Sequence, residues 1–220
     1  MKELQIKKHR PQPTNFEQTL DMLFSEPPKE AIESAKSRLI KTLAEAEYQA
    51  IFFGKIKHPT THTLFLAMRK QLVVMIEFGI TEEEFLKRVE KRFKEPIYFD
   101  PDKTKAILEQ IKNYLDGQRP SFDIQTDISD LTDFQQRVLK ATQQIPRGRI
   151  VTYMEIAREI GNPKAVRAVG QALGRNPIPI VIPCHRVIAS NGSLGGYSGG
   201  GGLETKSKLL QLEGALLGEF

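Results

Sequence analysis

Cysteine is nearly absent from this sequence, whose 220 residues contain only Cys184. A single cysteine excludes an internal disulfide, and it also excludes a zinc site built from several thiolates. Cys184 must therefore be either a small buried side chain or a chemically active group. Because a lone cysteine is more often the former, its neighbours have to decide between the two interpretations.

Long apolar runs are missing as well. The first ten residues carry charged side chains without an apolar run, and no later segment approaches the roughly 18 apolar residues that cross a membrane. We therefore expect an intracellular protein without a membrane partner, located in the cytoplasm or, in a eukaryote, in the nucleus. The apolar content of 40% is typical of a globular protein with one large or two small domains.

The net charge of +5 is modest, but it is unevenly distributed. Residues 134–187 contain nine Lys or Arg and only two Asp or Glu. This density suits a polyanionic partner such as nucleic acid, and it suits a solvated surface equally well. The polar stretch 119–130 has no helical apolar repeat and is interpreted as a linker, which gives an N-terminal domain, 1–128, and a C-terminal domain, 129–220.

The N-terminal domain is expected to combine helices with a small sheet. Residues 15–47 have apolar side chains at helical spacing, interrupted at Pro27-Pro28, so that 1–48 is predicted to be an extra helical segment. Three apolar runs then predict an antiparallel meander, and two helices follow it. The runs are 50–53, 64–67 and 72–78; the helices begin at Thr81-x-x-Glu84 and at Asp100-Pro101, and the second ends at Gly117.

The C-terminal domain predicts a helix-turn-helix. Capping boxes at Thr132-x-x-Gln135 and Thr152-x-x-Glu155 begin two helices, with a short strand at Ile150-Val151 between them. Gly161 ends the second helix, and Asn162 as N-cap with Pro163 at the first helical position predicts that a third begins at once. Two helices joined by a glycine-containing turn are a common way of presenting a helix to DNA.

The third helix should bury one face and present the other to DNA. Val166, Val169 and Leu173 form the buried stripe. Small side chains on the opposite face would let the backbone approach a narrow groove, where an arginine could enter the base stack or hold a phosphate. The outward residues are Ala165, Arg167, Ala168, Gln171 and Arg175.

Residues 176–188 predict a buried extended segment, because prolines and β-branched side chains exclude a helix there. Cys184 lies near its end, directly followed by His185 and Arg186. A base or a cation near the sulfur would raise the fraction of the reactive thiolate. These neighbours favour a nucleophile over a packing residue.

The second half of the chain, 132–213, resembles the O6-alkylguanine-DNA alkyltransferases, also called methylated-DNA–protein-cysteine methyltransferases. The first half resembles this family only in the order of its strands and helices. The resemblance implies an α+β fold, in which an N-terminal α/β domain with a small antiparallel sheet precedes a mainly helical domain with a winged-helix-like helix-turn-helix. The motifs that carry it are Gly161-Asn162-Pro163-Lys164-Ala165, Arg167-Ala168-Val169-Gly170, Pro183-Cys184-His185-Arg186-Val187 and Tyr197-Ser198-Gly199-Gly200.

The function implied by the resemblance is direct DNA repair. An alkyl group would pass irreversibly, once per molecule, from O6-alkylguanine or O4-alkylthymine in double-stranded DNA to Cys184. We expect a monomer that needs no cofactor. His58 and His62 have metal-like spacing, but a proline between them and the lack of further ligands favour a surface loop, so no metal ion is expected.

The resemblance also implies roles for individual residues. Cys184 would be the nucleophile, His185 its base through a water molecule, and Glu213 the group that orients the histidine. Tyr153 would donate a proton or a hydrogen bond to guanine N3, and Asn176 would brace the turn beside the site.

Further implied roles concern the damaged base. Ser198 would bind O6, Tyr197 would form a wall of the pocket, and the main-chain carbonyls of Cys184 and Val187 would accept from the guanine amino group. Arg167 would fill the gap in the duplex after the base has flipped out, because a stacked O6 is out of reach.

Three other functions remain open. A winged-helix regulator would use the same basic helix but would not need a thiol behind a proline. A non-catalytic alkyltransferase-like protein would bind the lesion, but such relatives replace the cysteine. A hydrolase using Cys184, His185 and Glu213 is the third, although adjacent Cys and His usually point apart and no oxyanion loop is evident.

Overall fold

The structure, a computed structural model, describes residues 27–48 and 50–215. The chain divides into two compact units, Met1–Ala46 and Glu47–Phe220. Helix α1 spans Lys29–Tyr48, so all but its last two residues belong to the first unit, and it begins directly after Pro27-Pro28, as the interruption predicted. The remainder of the predicted helical segment, 1–26, lies outside the described residues.

The second unit begins with a four-stranded sheet. Strands β1 (Ile51–His58), β2 (His62–Arg69) and β3 (Leu72–Phe78) form the predicted antiparallel meander. Lys70 and Gln71, with φ of 51° and 65°, make the two-residue turn between β2 and β3, whose twist matches that of the strands. A fourth strand, β4 (Ile97–Phe99), was not predicted; it pairs parallel to β1, and the order is β3-β2-β1-β4.

Two helices pack with this sheet. Helix α2 (Glu82–Arg92) begins with the predicted capping box, in which Thr81 and Glu84 bond each other's backbone N–H groups. Helix α3 (Pro101–Leu115) has Asp100 as its N-cap, and the Asp100 side chain accepts from the Lys103 N–H. Gly117 ends this region in the left-handed conformation, with φ of 76°.

The C-terminal half is mainly helical. Its helices are α4 (Asp133–Gln143), α5 (Tyr153–Glu159), α6 (Val166–Leu173) and α7 (Gly202–Leu212), with a 3-10 turn at Cys184–Arg186. Short parallel strands β5 (Val151–Thr152) and β6 (Val187–Ile188) pair beside α5. Both capping boxes, at Thr132 and at Thr152, are present. The expected mixture of a small sheet with several helices is thus confirmed.

The predicted start of the third helix of the C-terminal domain, the second helix of the helix-turn-helix, was wrong. Asn162 is not an N-cap; its carbonyl accepts from the Ala165 N–H and closes a turn. Helix α6 begins three residues later than the proline suggested, with Ala165 at the N-cap and no side chain capping it. The helix-turn-helix is retained, but the turn between α5 and α6 is longer.

One hydrophobic core is shared by residues on both sides of position 129. It joins side chains of the sheet and α3, such as Ile76 and Ile111, to side chains of the helical half, such as Leu139, Val169 and Ile180. The boundary at 129 stays a prediction. None of the helices in the described ranges is both long and apolar enough to cross a membrane.

Candidate active site

Cys184 begins the 3-10 turn and follows a segment that is buried, as predicted, but turned rather than extended, since Ile180 has a φ of 75°. Pro183 precedes it, and the Cys184 N–H donates to the Ile182 carbonyl at 2.8 Å. Only 6% of the residue is exposed. Burial raises the pKa of the Cys184 thiol, while a hydrogen bond from the Asn176 side chain and the charge of Lys206 oppose the rise. The resting sulfur is therefore a protonated thiol.

Asn176 braces this segment from within. Its Nδ2 donates to the Ile182 carbonyl at 2.8 Å, and its Oδ1 accepts from the Ile178 N–H at 3.0 Å. The side chain therefore ties the start of the loop to the residue two positions before Cys184. This arrangement fits the bracing role predicted for it.

His185 and Glu213 form a fully buried pair. His185 Nε2 lies 2.5 Å from Glu213 Oε1, and both side chains are completely inaccessible to solvent. Burial lowers the pKa of His185, against the hydrogen bond and the charge of Glu213. The imidazole is therefore neutral with its proton on Nε2. Nδ1 is buried and has no hydrogen-bond partner among the residues that the structure describes, which leaves a lone pair to accept a proton.

The position of Arg186 in the sequence suggested that it places a positive charge near the sulfur, but its guanidinium binds other groups instead. Its Nε donates to Glu213 Oε2 at 2.8 Å, and its Nη2 donates to Glu213 Oε1 and to the Tyr114 hydroxyl, each at 3.1 Å. Burial opposes ionisation of Glu213, but the hydrogen bonds from His185 and Arg186 outweigh it and lower the pKa of Glu213 to about 2. The 3-10 turn directs Arg186 away from the thiol.

Lys206, which the sequence analysis missed, supplies the cation near the sulfur. It is 0% exposed, and its Nζ donates to the carbonyls of Val187, at 2.6 Å, and of Leu194. Burial lowers the pKa of Lys206 to about 8, opposed by the charge of Cys184. Lys206 occurs one turn before Leu209 and Leu210 on α7, so helical periodicity could have placed it on the buried face.

A pocket of about 450 Å³ opens at Cys184. It brings together several of the predicted residues, although they are far apart in sequence. Tyr153 and Tyr197 flank the thiol, and Ser198 lies at the exposed side. The predicted residues that line it are Tyr153, Arg167, Gln171, Cys184, Tyr197 and Ser198.

The two tyrosines of the pocket are held differently. Burial raises the pKa of Tyr153, opposed by a hydrogen bond from the Gly196 N–H to its hydroxyl oxygen. Burial also raises the pKa of Tyr197 well above its ordinary value, and the Tyr197 hydroxyl has no partner within the described residues. Both phenols are therefore protonated donors at neutral pH. Gly195 is required beside them, because a Cβ there would lie 2.7 Å from the Tyr153 hydroxyl.

Val187 follows the 3-10 turn and is fully buried. Its N–H donates to the Cys184 carbonyl, and its own carbonyl accepts from Lys206. A carbonyl oxygen has two lone pairs, so each of these carbonyls can accept one further hydrogen bond. If the guanine amino group binds as predicted, it would share these two carbonyl oxygens with the Val187 N–H and the Lys206 ammonium group.

Helix α6 presents most of the predicted face, but it ends at Leu173, so Arg175 lies beyond it. Arg167 and Gln171 are exposed, Ala165 and Ala168 are half-buried, and Val169 and Leu173 are buried. Val166 differs from the prediction, since it is only half-buried. Arg167 also lines the pocket that contains Cys184, so the same helix faces both the solvent and the site.

His58 does not lie in a surface loop. It ends β1, is 8% exposed, and its Nε2 lies 3.1 Å from Asp116 Oδ1, while its Nδ1 accepts from the Thr60 N–H. His62 begins β2 opposite it and is exposed. Among the described residues, no group of three or more potential ligands is placed to hold a metal ion.

The helical half matches a known family model. Residues 133–215 match the DNA-binding domain of 6-O-methylguanine DNA methyltransferase. The chain is 49% identical over 114 residues to a methylated-DNA–protein-cysteine methyltransferase of Mycobacterium tuberculosis, which covers 52% of this chain and 67% of that protein. It is 44% identical over 132 residues to the inducible enzyme of that name from Bacillus subtilis, covering 60% and 72%.

Solved structures are similar over a larger part of the chain. The crystal structure of Mycobacterium tuberculosis OGT in complex with DNA superposes with a TM-score of 0.64 at 37% identity, covering 74% of this chain and 92% of that one. The O6-methylguanine-DNA methyltransferase of Pyrococcus kodakaraensis gives a TM-score of 0.55 at 27% identity, covering 75% and 99%. The similarity thus extends beyond the helical half into the sheet.

Proposed function

The chain belongs to the methylated-DNA–protein-cysteine methyltransferase family, and we propose that it repairs DNA by moving an alkyl group from guanine O6 onto Cys184. DNA repair by alkyl transfer to a cysteine of the protein is the activity of this family, and Cys184 is the one cysteine available. The observation that carries the assignment is the pocket lined by this thiol, together with the adjacent buried histidine, whose Nδ1 has no partner in the described part of the chain.

The first step is proton removal from the thiol. The thiol and the imidazole are both neutral at rest, so the sulfur is a poor nucleophile until a substrate fills the pocket. The proton then passes from Sγ to His185 Nδ1 by way of one water molecule, and Glu213 stabilises the imidazolium that forms. A protonated resting thiol also protects the only acceptor from adventitious electrophiles.

The second step is displacement at the alkyl carbon. The thiolate attacks this carbon, a new S–C bond forms, and the C–O6 bond breaks with its electron pair passing to the purine. Tyr153 donates to N3, so the guanine leaves without a full negative charge, and Ser198 donates to O6. Tyr197 encloses the base, and the carbonyls of Cys184 and Val187 accept from its amino group.

Access to the base requires helix α6. Its small residues, Ala165 and Ala168, allow close approach to the minor groove, and Gln171 adds a polar contact. Arg167 is exposed on this face and also lines the pocket, so it can occupy the place of a guanine that has rotated into the site. We propose that 129–220 is the DNA-binding and transfer domain, and that it acts where the cell keeps its DNA.

An intact-mass measurement tests the proposal. The protein is incubated with excess duplex DNA that contains one O6-methylguanine, and its mass should rise by one methyl group per chain, on the peptide that contains Cys184. The thioether is stable, and the chain offers no second cysteine to remove the group. Repeated turnover, or a methyl group on another residue, would contradict the proposal. Release of product from an ester substrate would favour a hydrolase.

A further inference from the structure

A tyrosine from the N-terminal half reaches the catalytic glutamate. The Tyr114 hydroxyl donates to Glu213 Oε1. The same oxygen accepts from His185 Nε2. Tyr114 and Glu213 are 99 positions apart. We propose that Tyr114 is a positioning residue of the transfer reaction, which orients Glu213 and limits its pull on the His185 proton so that Nδ1 stays free. This inference rests on the function proposed above.

The ring of Tyr114 is in contact with Phe122 and Arg147, and these contacts fix the orientation of the hydroxyl. The ring is 0% exposed and lies 4.4 Å from the ring of Phe122, centroid to centroid. The Arg147 guanidinium lies 5.2 Å from the ring centroid, and its Nη2 donates to the Leu212 carbonyl at 2.7 Å. Arg147 therefore joins the tyrosine ring to the end of α7, immediately before Glu213.

Glu213 receives more donors than its pairing with His185 requires. Oε1 accepts from the Tyr114 hydroxyl, from His185 Nε2 and from Arg186 Nη2, while Oε2 accepts from Arg186 Nε. Each donor takes a share of the negative charge on the carboxylate. Removing the phenol leaves more of that charge on His185, and the affinity of the imidazole for a second proton rises.

Other charged groups around the pair act in known directions. Arg186 and Lys206 lower the pKa of His185 through their positive charges, and Glu213 raises it. Cys184 adjoins the histidine on the other side, and its thiol is protonated at rest. Burial raises the pKa of Tyr114, so the phenol remains a donor throughout the pH range in which the histidine titrates. Of these groups, Tyr114 can lose its hydroxyl without any change in net charge.

Tyr114→Phe isolates the hydroxyl, because the ring and its contacts with Phe122 and Arg147 are kept. The rate of benzyl transfer from free O6-benzylguanine is measured between about pH 5 and pH 8.5. Transfer needs neutral His185, so the acid limb of the profile should move up by about one pH unit, with a rate about tenfold lower at pH values below both acid limbs and nearly unchanged near pH 8.5. Tyr98→Phe, an exposed tyrosine in the same half, should leave the profile unchanged.

A structural role would give a different result. A loss of the same size at every pH, or a profile identical to that of the wild type, would overturn the proposal. If the phenylalanine variant fails to fold, 3,5-difluorotyrosine at position 114 provides the opposite change. Its more acidic hydroxyl is a stronger donor, and the acid limb should then move to lower pH.

Histidine NMR separates this inference from the proposed function. The ring carbon and proton shifts of His185, assigned by their loss in His185→Gln, are followed against pH in unreacted wild type and in Tyr114→Phe. The imidazole should protonate at higher pH in the variant. A wild type that transfers no alkyl group would refute the proposed function, but an unchanged His185 titration would refute the role of Tyr114 regardless of any transfer.

Discussion

The buried side chains of His185, Glu213, Arg186 and Tyr114 form a hydrogen-bonded relay, and this relay differs from the exposed face of α6 in the partners that each one has. In the relay, Glu213 already has donors from His185, Arg186 and Tyr114, and the whole group is closed to solvent. On α6, Arg167 and Gln171 are directed to solvent. The hydrogen bonds of the relay are formed without a substrate, whereas in the proposed function the helix face acquires its contacts only from DNA.

The difference predicts how variants should behave. Changes in the relay should affect transfer from every substrate, including a free base, because the relay acts on the sulfur. Changes on the helix face should affect only transfer from DNA, because a free base needs neither binding to the duplex nor flipping.

Cys184→Ala should have the largest effect. Transfer from DNA and from free O6-benzylguanine should fall to the rate seen without protein, since no other cysteine is present. Affinity for duplex DNA should change by less than about twofold, because phosphate contacts supply most of the binding. Gel-shift titration and intact mass on the same preparation measure both quantities. Residual transfer by the alanine variant would show that the nucleophile is elsewhere.

Glu213→Gln should slow transfer from both substrates by about a hundredfold, because His185 loses the anion that stabilises its protonated form. The variant also leaves Arg186 buried without its partner, which should cost about 3 to 5 kcal/mol in the free energy of unfolding. Denaturant titration measures this cost. An effect confined to DNA would contradict the assignment of Glu213 to the relay.

The same variant makes a pH prediction. The pKa of Glu213 is lowered to about 2 from an ordinary value of 4.5, so its ionisation stabilises the wild type fully above about pH 4.5. This stabilisation is lost as the pH falls from there toward about 2. The Gln variant lacks the carboxyl, so its free energy of unfolding should vary less over that window. Unfolding curves at several acidic pH values compare the two proteins.

Arg167→Ala should slow transfer from duplex DNA by about tenfold and leave transfer from free O6-benzylguanine unchanged. Arg175→Ala is the matched control, because this arginine is also exposed and its loss removes the same charge. The control should weaken binding in a salt-dependent way but recover its full rate at saturating DNA. If Arg167→Ala also recovers at saturation, the residue is an electrostatic contact and has no part in flipping.

Thr132→Ala should have the smallest effect. It removes the cap of α4 and should lower the free energy of unfolding by about 1 kcal/mol, without changing the rate on either substrate well below the melting temperature. Thr81→Ala removes the equivalent cap of α2 and should cost about the same. A change in transfer rate caused by either variant would show that the relay depends on more than its own contacts.

Parts of the fold could be predicted because they depend on neighbouring residues. A capping box joins residues three positions apart, so Thr81, Thr132 and Thr152 are recognisable in the sequence. The meander follows from three apolar runs, and its turn from two adjacent residues. Strand β4 was missed, because three residues give too short a pattern and its parallel pairing with β1 is distant in the chain.

The start of α6 shows why even local signals fail. Asn162 and Pro163 have the residue types of a helix N-terminus, but the Asn162 carbonyl closes a turn with Ala165 instead. A four-residue β-turn and a helix N-terminus both favour these residue types. Helix α6 packs against α4 and α5, and these contacts between distant residues are not visible in the four residues at its start.

The residues alone identify the class of chemistry, because one cysteine follows a proline and precedes a histidine, in motifs of a family whose acceptor is a cysteine. The control of that chemistry depends on contacts that form only in the folded chain. Arg186 turns away from the sulfur, Lys206 approaches it from α7, and Tyr114 reaches Glu213 from the opposite half of the chain. Capping and turn formation act over a few residues, whereas the pKa values of buried groups depend on charges and donors brought together by packing.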